Sequence, residues 1–215
     1  MIPNWAEERR QMVGMQLRSR GLSDERVLSA MNEIPREEFV PLEARVLAYR
    51  DEPCPIGFGQ TISQPYMTAL MAQELHLAGS EKVLEVGAGS GYAAAVMGRL
   101  AGKVTTVEIV PQLVQLARAN LRRTGRDRNI EVVDGDGGWG YEADAPYDAI
   151  SVAAAAPDIP AALLEQLADP GILVIPVGSY ADQELRVVTK RGSRIESRVA
   201  TMCRFVPLRG GEGWQ

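Results

Sequence analysis

The sequence predicts an α/β protein built on a doubly wound, mainly parallel seven-stranded sheet. A helical extension precedes the sheet and an antiparallel hairpin ends it. Three observations carry this. From residue 81 onward, short apolar runs alternate with segments of helical periodicity, the pattern of a parallel sheet covered on both faces. The first of these runs, Val83-Leu84-Glu85-Val86, passes directly into Gly87-Ala88-Gly89-Ser90-Gly91-Tyr92, a glycine turn between strand and helix. The end of the chain then changes character: two strand-forming runs meet at Gly192, which reads as a hairpin.

The elements follow in order. Asn4 and Glu7 have the spacing of a capping box. Met12, Met15 and Leu17 continue that helix to about residue 18, and Gly21 stops it. Ser23 is placed to cap a second helix, which buries Val27, Leu28 and Met31 and ends before Pro35. Short helical pieces are expected over 36–40 and 42–47, separated by Pro41. In residues 51–64 the punctuation by Pro53, Pro55, Gly57 and Gly59 predicts no regular element. Pro65 suits the first position of a helix over 65–77, where its missing N–H costs nothing. Strands are expected over 83–86, 104–108, 130–133, 147–152 and 172–177, with helices over 92–100, 111–123 and 159–167. The closing hairpin pairs 184–190 with 194–204. Together these make a Rossmann-like sheet with an antiparallel edge. The organisation expected is one domain over 1–215, with 1–50 as helical extension, 51–80 as a loop and helix beside the site, and 81–215 as core.

Bulk composition excludes several classes. The 215 residues are 46% hydrophobic and 24% charged, with net charge −5, an ordinary globular balance. Such a charge does not suit a nucleic-acid binder. The arginines at 118, 122, 123, 126 and 128 read as a solvated helix end and loop. No run approaches the ~18 apolar residues that span a bilayer, and residues 1–13 lack the pattern of a secretory signal. Cys54 and Cys203 stand far apart without metal-ligand spacing, as free thiols of a reducing cytoplasm do. The one histidine, His76, rules out a multi-histidine metal site within the chain and reads as a structural or surface residue near a helix end.

The glycine turn narrows the ligand. In an open α/β sheet the ligand lies beyond the carboxyl ends of the strands, where strand order reverses. A dinucleotide fingerprint is G-x-G-x-x-G; here Gly87, Gly89 and Gly91 give G-x-G-x-G, with Ser90 between and Tyr92 following. Glu85 precedes the turn, awkward beside a pyrophosphate but suited to an ammonium. Glu108 ends the second strand, where an acid meets both ribose hydroxyls. Asp134-Gly135-Asp136-Gly137 follows the third strand, and a carboxylate there can accept from an adenine amino group. A glycine turn and three ordered acids describe an adenosine with an amino-acid tail, S-adenosyl-L-methionine. Taken singly, Glu85 and Glu108 could be ordinary strand-end charges; converging on one crevice, they read as ligand groups.

The acceptor is indicated by the loop ahead of the sheet. Gly57-Phe58-Gly59-Gln60-Thr61-Ile62-Ser63-Gln64-Pro65-Tyr66-Met67 strongly resembles the hallmark segment of the protein-L-isoaspartate O-methyltransferase family. The resemblance runs through Ile34-Pro35-Arg36-Glu37-Glu38-Phe39-Val40, the glycine turn, Gly135-Asp136-Gly137, Tyr147-Asp148-Ala149-Ile150, Pro170 to Gly178, and Arg204-Phe205-Val206-Pro207-Leu208. The glycine turn is shared by many methyltransferases, whereas Thr-Ile-Ser-Gln-Pro and the late Phe-Val-Pro-Leu are far more specific. The sequence departs from the family at Gly138, where relatives often carry a bulky residue, and at Ala153, where several have threonine or glycine.

The resemblance implies the class I fold of S-adenosylmethionine-dependent methyltransferases and the repair of damaged protein. The free α-carboxyl of an L-isoaspartyl residue is methylated, and the ester returns through a succinimide without enzymatic help. It implies Ser63 as the active-site residue and Thr61 and Ile62 at the junction of cofactor and peptide. Cofactor binding falls to Glu85, Gly87, Gly89, Ser90, Glu108, Gly135 and Asp136. Gln64, Phe205 and Val206 would bind an extended peptide. With no base beside it in sequence, Ser63 is expected to orient the carboxylate rather than attack; capping the helix at Pro65 is its other possible use. The expected partners are isoaspartyl proteins and peptides, with no nucleic acid, membrane or metal, and the expected state is a monomer. Two other readings stay open at this point: a related carboxyl methyltransferase dedicated to one peptide, and a non-catalytic S-adenosylmethionine-binding module.

Overall fold

The computed structural model describes residues 3–214. The first two residues of the expected extension and the last residue of the tail lie outside them. The extension begins with α1 (Trp5–Gln11), capped by the Asn4 side chain accepting from the Glu7 N–H. A π-helical stretch, Met12–Leu17, continues it, and a short 3-10 turn ends at Gly21 in the left-handed conformation. Met12 and Leu17 are both buried and stand five residues apart. A π-helical turn brings such positions together, whereas an α-helix would splay them. The cap of α2 (Glu25–Glu33) is Asp24, not Ser23: its carboxylate accepts the N–H groups of Arg26 and Val27 at 2.9 and 3.3 Å. A cap of this kind stabilises by ~1 kcal/mol. Two 3-10 pieces, Arg36–Glu38 and Leu42–Leu47, complete the extension.

Residues 51–64 do contain a regular element. β1 (Cys54–Gly57) and β2 (Gln60–Ile62) form an antiparallel hairpin. The expectation of an irregular loop treated its glycines as spread-out breakers. They are concentrated in the turn instead, where Gly57, Phe58 and Gly59 all take positive φ, and the flanking residues pair freely. Pro55 is tolerated because its strand is one of only two and so is an edge. α3 (Pro65–Glu74) starts at Pro65 as expected but stops short of 77, with His76 just beyond it, exposed and at φ 51°.

The main sheet has seven strands: β3 (Lys82–Val86), β4 (Lys103–Glu108), β5 (Ile130–Asp134), β6 (Tyr147–Val152), β7 (Leu167–Gly178), β8 (Gln183–Arg191) and β9 (Arg194–Cys203). Their order is β5-β4-β3-β6-β7-β8-β9. The first five are parallel, and β8 and β9 pair antiparallel in turn. α4 (Tyr92–Leu100) and α5 (Pro111–Arg123) connect β3, β4 and β5, and α6 (Ala161–Gln166) precedes β7. α6 is shorter and β7 longer than the sequence suggests. Alternate residues of β3 feed two apolar layers: Val83 packs with the extension, α3 and α4, and Leu84 and Val86 pack with the α6 side. Winding reverses between β3 and β6, so the crevice at their carboxyl ends is the switch point. Cys54 and Cys203 are free thiols.

Candidate functional site

A cleft of ≈ 820 Å³, counting its open mouth, lies at that switch point. The glycine turn forms its floor. Gly87, Gly89 and Gly91 have φ of 93°, 54° and 87°, a region that favours residues without a Cβ. The Gly87 N–H donates to Val107 O at 2.8 Å. A Cβ on Gly91 would sit 3.3 to 3.4 Å from Leu121 and Ala117, so the helix start can approach α5 only as glycine.

Glu85 is the penultimate residue of β3, opposite Thr106 and Ser151, and is 0% exposed. Its Oε2 accepts from Thr106 Oγ1 at 2.5 Å, and its Oε1 has no partner among the described residues. Burial pushes its pKa from 4.5 up to about 8; the Thr106 bond pulls it down and the nearby Glu108 charge adds to the rise. The Ser90 hydroxyl is also buried without a partner. Glu108, 6% exposed at the end of β4, accepts from Gly89 N–H at 2.8 Å and from Val110 N–H at 3.0 Å. It braces the turn and keeps lone pairs free on both oxygens.

β2 and the residue after it supply another part of the lining. Thr61, Ile62 and Ser63 line this cleft together with Glu85, Gly87, Gly89, Ser90 and Glu108. A second, larger groove of ≈ 1270 Å³ runs past Gln64, Tyr66 and Met67 on one side and Thr201 to Val206 on the other. Gln64, Phe205 and Val206 therefore lie in the groove, and Val206 touches both spaces. A small cavity of ≈ 340 Å³ behind them is bounded by Thr68, Glu85 and Ser151. Ser63 and Ala153 border all three spaces. The cap position of α3 is Gln64, with no side-chain capping bond, so Ser63 is not used as a cap.

Asp136 departs from its expected placement. Its Oδ1 accepts from Gly138 N–H and its Oδ2 from Gly211 N–H, at 2.9 and 2.8 Å. It and Gly135 do not border the cleft, whereas Gly137 does. The carboxylate is turned to the C-terminal tail, and the tail packs close to Gly138: a Cβ there would lie 3.2 Å from Glu212 Cβ.

Two residues that matter here escaped the sequence reading. Buried Gln183 takes the Phe205 N–H on Oε1 at 2.6 Å and gives Nε2 to Phe205 O at 3.3 Å, fixing the segment after β9. Arg36, 0% exposed, donates from Nη2 to Ser63 O and from Nε to Ala48 O, both at 2.7 Å. Three charged residues, Arg36-Glu37-Glu38, stand between apolar neighbours, but nothing in the sequence names the carbonyls that Arg36 reaches.

The donor set fits an adenosine carrying an amino-acid tail. Two orphaned buried polar atoms, Glu85 Oε1 and Ser90 Oγ, face a cradle with no Cβ on three of its residues, and an acid stands at the end of the next strand. Among the described residues no group of three or more His, Cys, Asp or Glu could hold a metal ion.

Comparison with known proteins agrees. The family model described as protein-L-isoaspartate(D-aspartate) O-methyltransferase matches residues 7–213. The chain is 51% identical over 210 residues to a protein-L-isoaspartate O-methyltransferase of Methanoregula boonei, covering 98% of this chain and 96% of that one. It is 51% identical to the enzyme of that name from Methanoculleus marisnigri, covering 97% and 94%. A solved protein-L-isoaspartate O-methyltransferase superposes with a TM-score of 0.82 at 30% identity, covering 95% of this chain and 66% of that one. A Plasmodium falciparum structure described as a putative member, in complex with S-adenosyl-L-homocysteine, gives 0.82 at 26% identity, covering 94% and 98%. A family-model match over residues 7–213, with 51% identity to a relative across nearly the whole length, means that the chain belongs to the protein-L-isoaspartate(D-aspartate) O-methyltransferase family.

Proposed function

We propose that the chain repairs damaged proteins by methylating the free α-carboxyl of L-isoaspartyl residues. The observation that carries this reading is Ser63, shared by the donor cleft and the larger groove. Bound S-adenosyl-L-methionine supplies a sulfonium-activated methyl group. The unpartnered Glu85 Oε1 meets the ammonium of its tail, Ser90 and the glycine turn hold its polar end, and Glu108 takes the ribose hydroxyls. Thr61 and Ile62 cover it from the loop side. Asp136 serves the base side indirectly, by fixing the turn that presents Gly137 to the cleft.

The groove holds the acceptor. An extended peptide lies between Gln64 and the Phe205–Val206 backbone, so that main-chain contacts dominate and side-chain sequence matters little. Its carboxylate is already ionised at neutral pH, so no general base is required, and Ser63 need only orient one oxygen. Alignment of this kind can supply most of the rate. The ester then closes spontaneously to a succinimide.

Residues 1–215 act as one methyltransferase unit, with the first 50 as an extension. We take the working state to be a monomer that uses neither nucleic acid nor membrane. Among the described residues no helix is long and apolar enough to cross a membrane, and the two free thiols suit a reducing cytoplasm. The test is methyl transfer from labelled donor to paired peptides that differ only in isoaspartyl or aspartyl linkage. Labelling confined to the isoaspartyl member is expected; equal labelling of both, or of neither, would remove the repair reading.

A further inference from the structure

We propose that Arg36 is a positioning residue that sets Ser63 at the junction of the two clefts. Ser63 follows Ile62, the last residue of the β1–β2 ladder. It stands two residues before Pro65, which has no N–H to offer. Among the described residues neither the hairpin nor α3 gives it a hydrogen bond of its own. The bond from Arg36 Nη2 to Ser63 O, at 2.7 Å, supplies that restraint. The same guanidinium is anchored by Nε on Ala48 O in the extension and lies 4.9 Å over the ring of Tyr92. Tyr92 opens α4 immediately after the glycine turn and borders the donor cleft. One planar group thus touches the extension, the acceptor loop and the start of the donor cradle.

A purely structural role does not account for this choice. Arg36 is fully buried, and its partners are two carbonyls and a ring, none of them a carboxylate. Burying a cation without a counter-ion is costly, and a well-packed apolar side chain of similar volume often serves stability as well or better. A rigid fork that reaches two carbonyls at once is what arginine offers and lysine does not. A misplacement of about 1 Å at a reacting centre can cost on the order of 10²-fold in rate.

This inference rests on the role proposed for Ser63, and a double-mutant cycle separates the two. Arg36→Lys keeps the buried charge but loses the fork; Arg36→Met removes both. In each variant kcat toward an isoaspartyl peptide is expected to fall by about 10- to 100-fold. The affinity for S-adenosyl-L-homocysteine should stay within about threefold. Ser63→Ala should itself lower kcat, and adding Arg36→Lys to it should cost less than about threefold more, because the group being positioned is gone. Additive losses in that cycle overturn the proposal, as does a parental kcat in folded Arg36→Lys with only a lower melting temperature. Should Arg36→Met not fold, Arg36→Lys carries the test; should neither fold, Arg36 is a folding determinant and the proposal is wrong. An unchanged kcat in Ser63→Ala alone would instead remove the Ser63 reading on which this rests.

Discussion

Donor binding should release a proton, and Glu85 should be its source. Burial holds the Glu85 pKa at about 8, so at pH 7 only about one ligand-free molecule in ten carries the charge. Pairing with an ammonium requires that charge. Ionising the group first costs ~1.4 kcal/mol at pH 7 and about twice that at pH 6. Affinity should therefore rise nearly tenfold from pH 6 to 7 and more shallowly, by no more than about fivefold, from pH 7 to 8. It should level off above 8, where an α-amino group with a pKa of about 7.7–8.0 begins to lose its own proton. Titration calorimetry with S-adenosyl-L-homocysteine, in buffers of different ionisation heat at pH 7, should report release of about 0.9 proton. Glu85→Gln keeps the shape and removes the titration. In it, proton release and the pH slope should both vanish, with an affinity loss of about 30- to 100-fold at pH 8 that shrinks toward pH 6. Folding gives an independent check. The folded pKa lies above that of the unfolded chain, so the contribution to stability is fully present below about pH 4.5 and is lost as pH rises through 8. The ligand-free parent should lose up to about 5 kcal/mol across that window, and Glu85→Gln should lose none of it. A parent that binds the probe with no proton release and no pH slope would refute the reasoning, because Glu85 would then be ionised in the empty cleft or turned away from the ammonium.

Two other perturbations probe the frame. Gly91→Ala places a Cβ at φ 87° within 3.3 to 3.4 Å of α5; a loss of ~1–3 kcal/mol should appear as a lower melting temperature and a weaker donor affinity. Parental values for both would mean that the turn relaxes freely. Gln183→Ala removes both bonds to the Phe205 backbone; steady-state kinetics should show a several-fold higher KM for peptide with donor affinity unchanged. A change confined to donor affinity would contradict the assignment of Phe205 to the groove.

Most of the sheet was legible because its signals are local. The helix over Pro111–Arg123 and the strand over Tyr147–Val152 have the predicted bounds, since a proline start and an uninterrupted apolar run fix them without help from afar. That Glu85, Gly87, Gly89 and Glu108 line one cleft was legible for a related reason: they stand at or beside the ends of successive strands, and strand ends converge by topology. The β1–β2 hairpin was missed because glycine punctuation marks a turn and a break equally well, and only the pairing of Cys54 with Ile62 decides. The turn of the Asp136 carboxylate toward the tail left no local sign, because its partner, Gly211, lies 75 residues away. Arg36 went unassigned for the same reason: the carbonyls of Ala48 and Ser63 belong to any residue's backbone and leave no mark on sequence.

The segment after β9 crosses back over the sheet. Ala155 N–H donates to Val206 O at 2.8 Å, and Leu208 N–H donates to Ala155 O at 2.7 Å. One wall of the larger groove is thus made by residues far along the sequence from Arg36, which braces the opposite side through Ser63 O. No stretch shorter than the span from Arg36 to Leu208 contains the whole junction. The junction of the two spaces is thus a product of long-range docking: no local segment holds it, and it exists only once residues far apart in sequence have packed together.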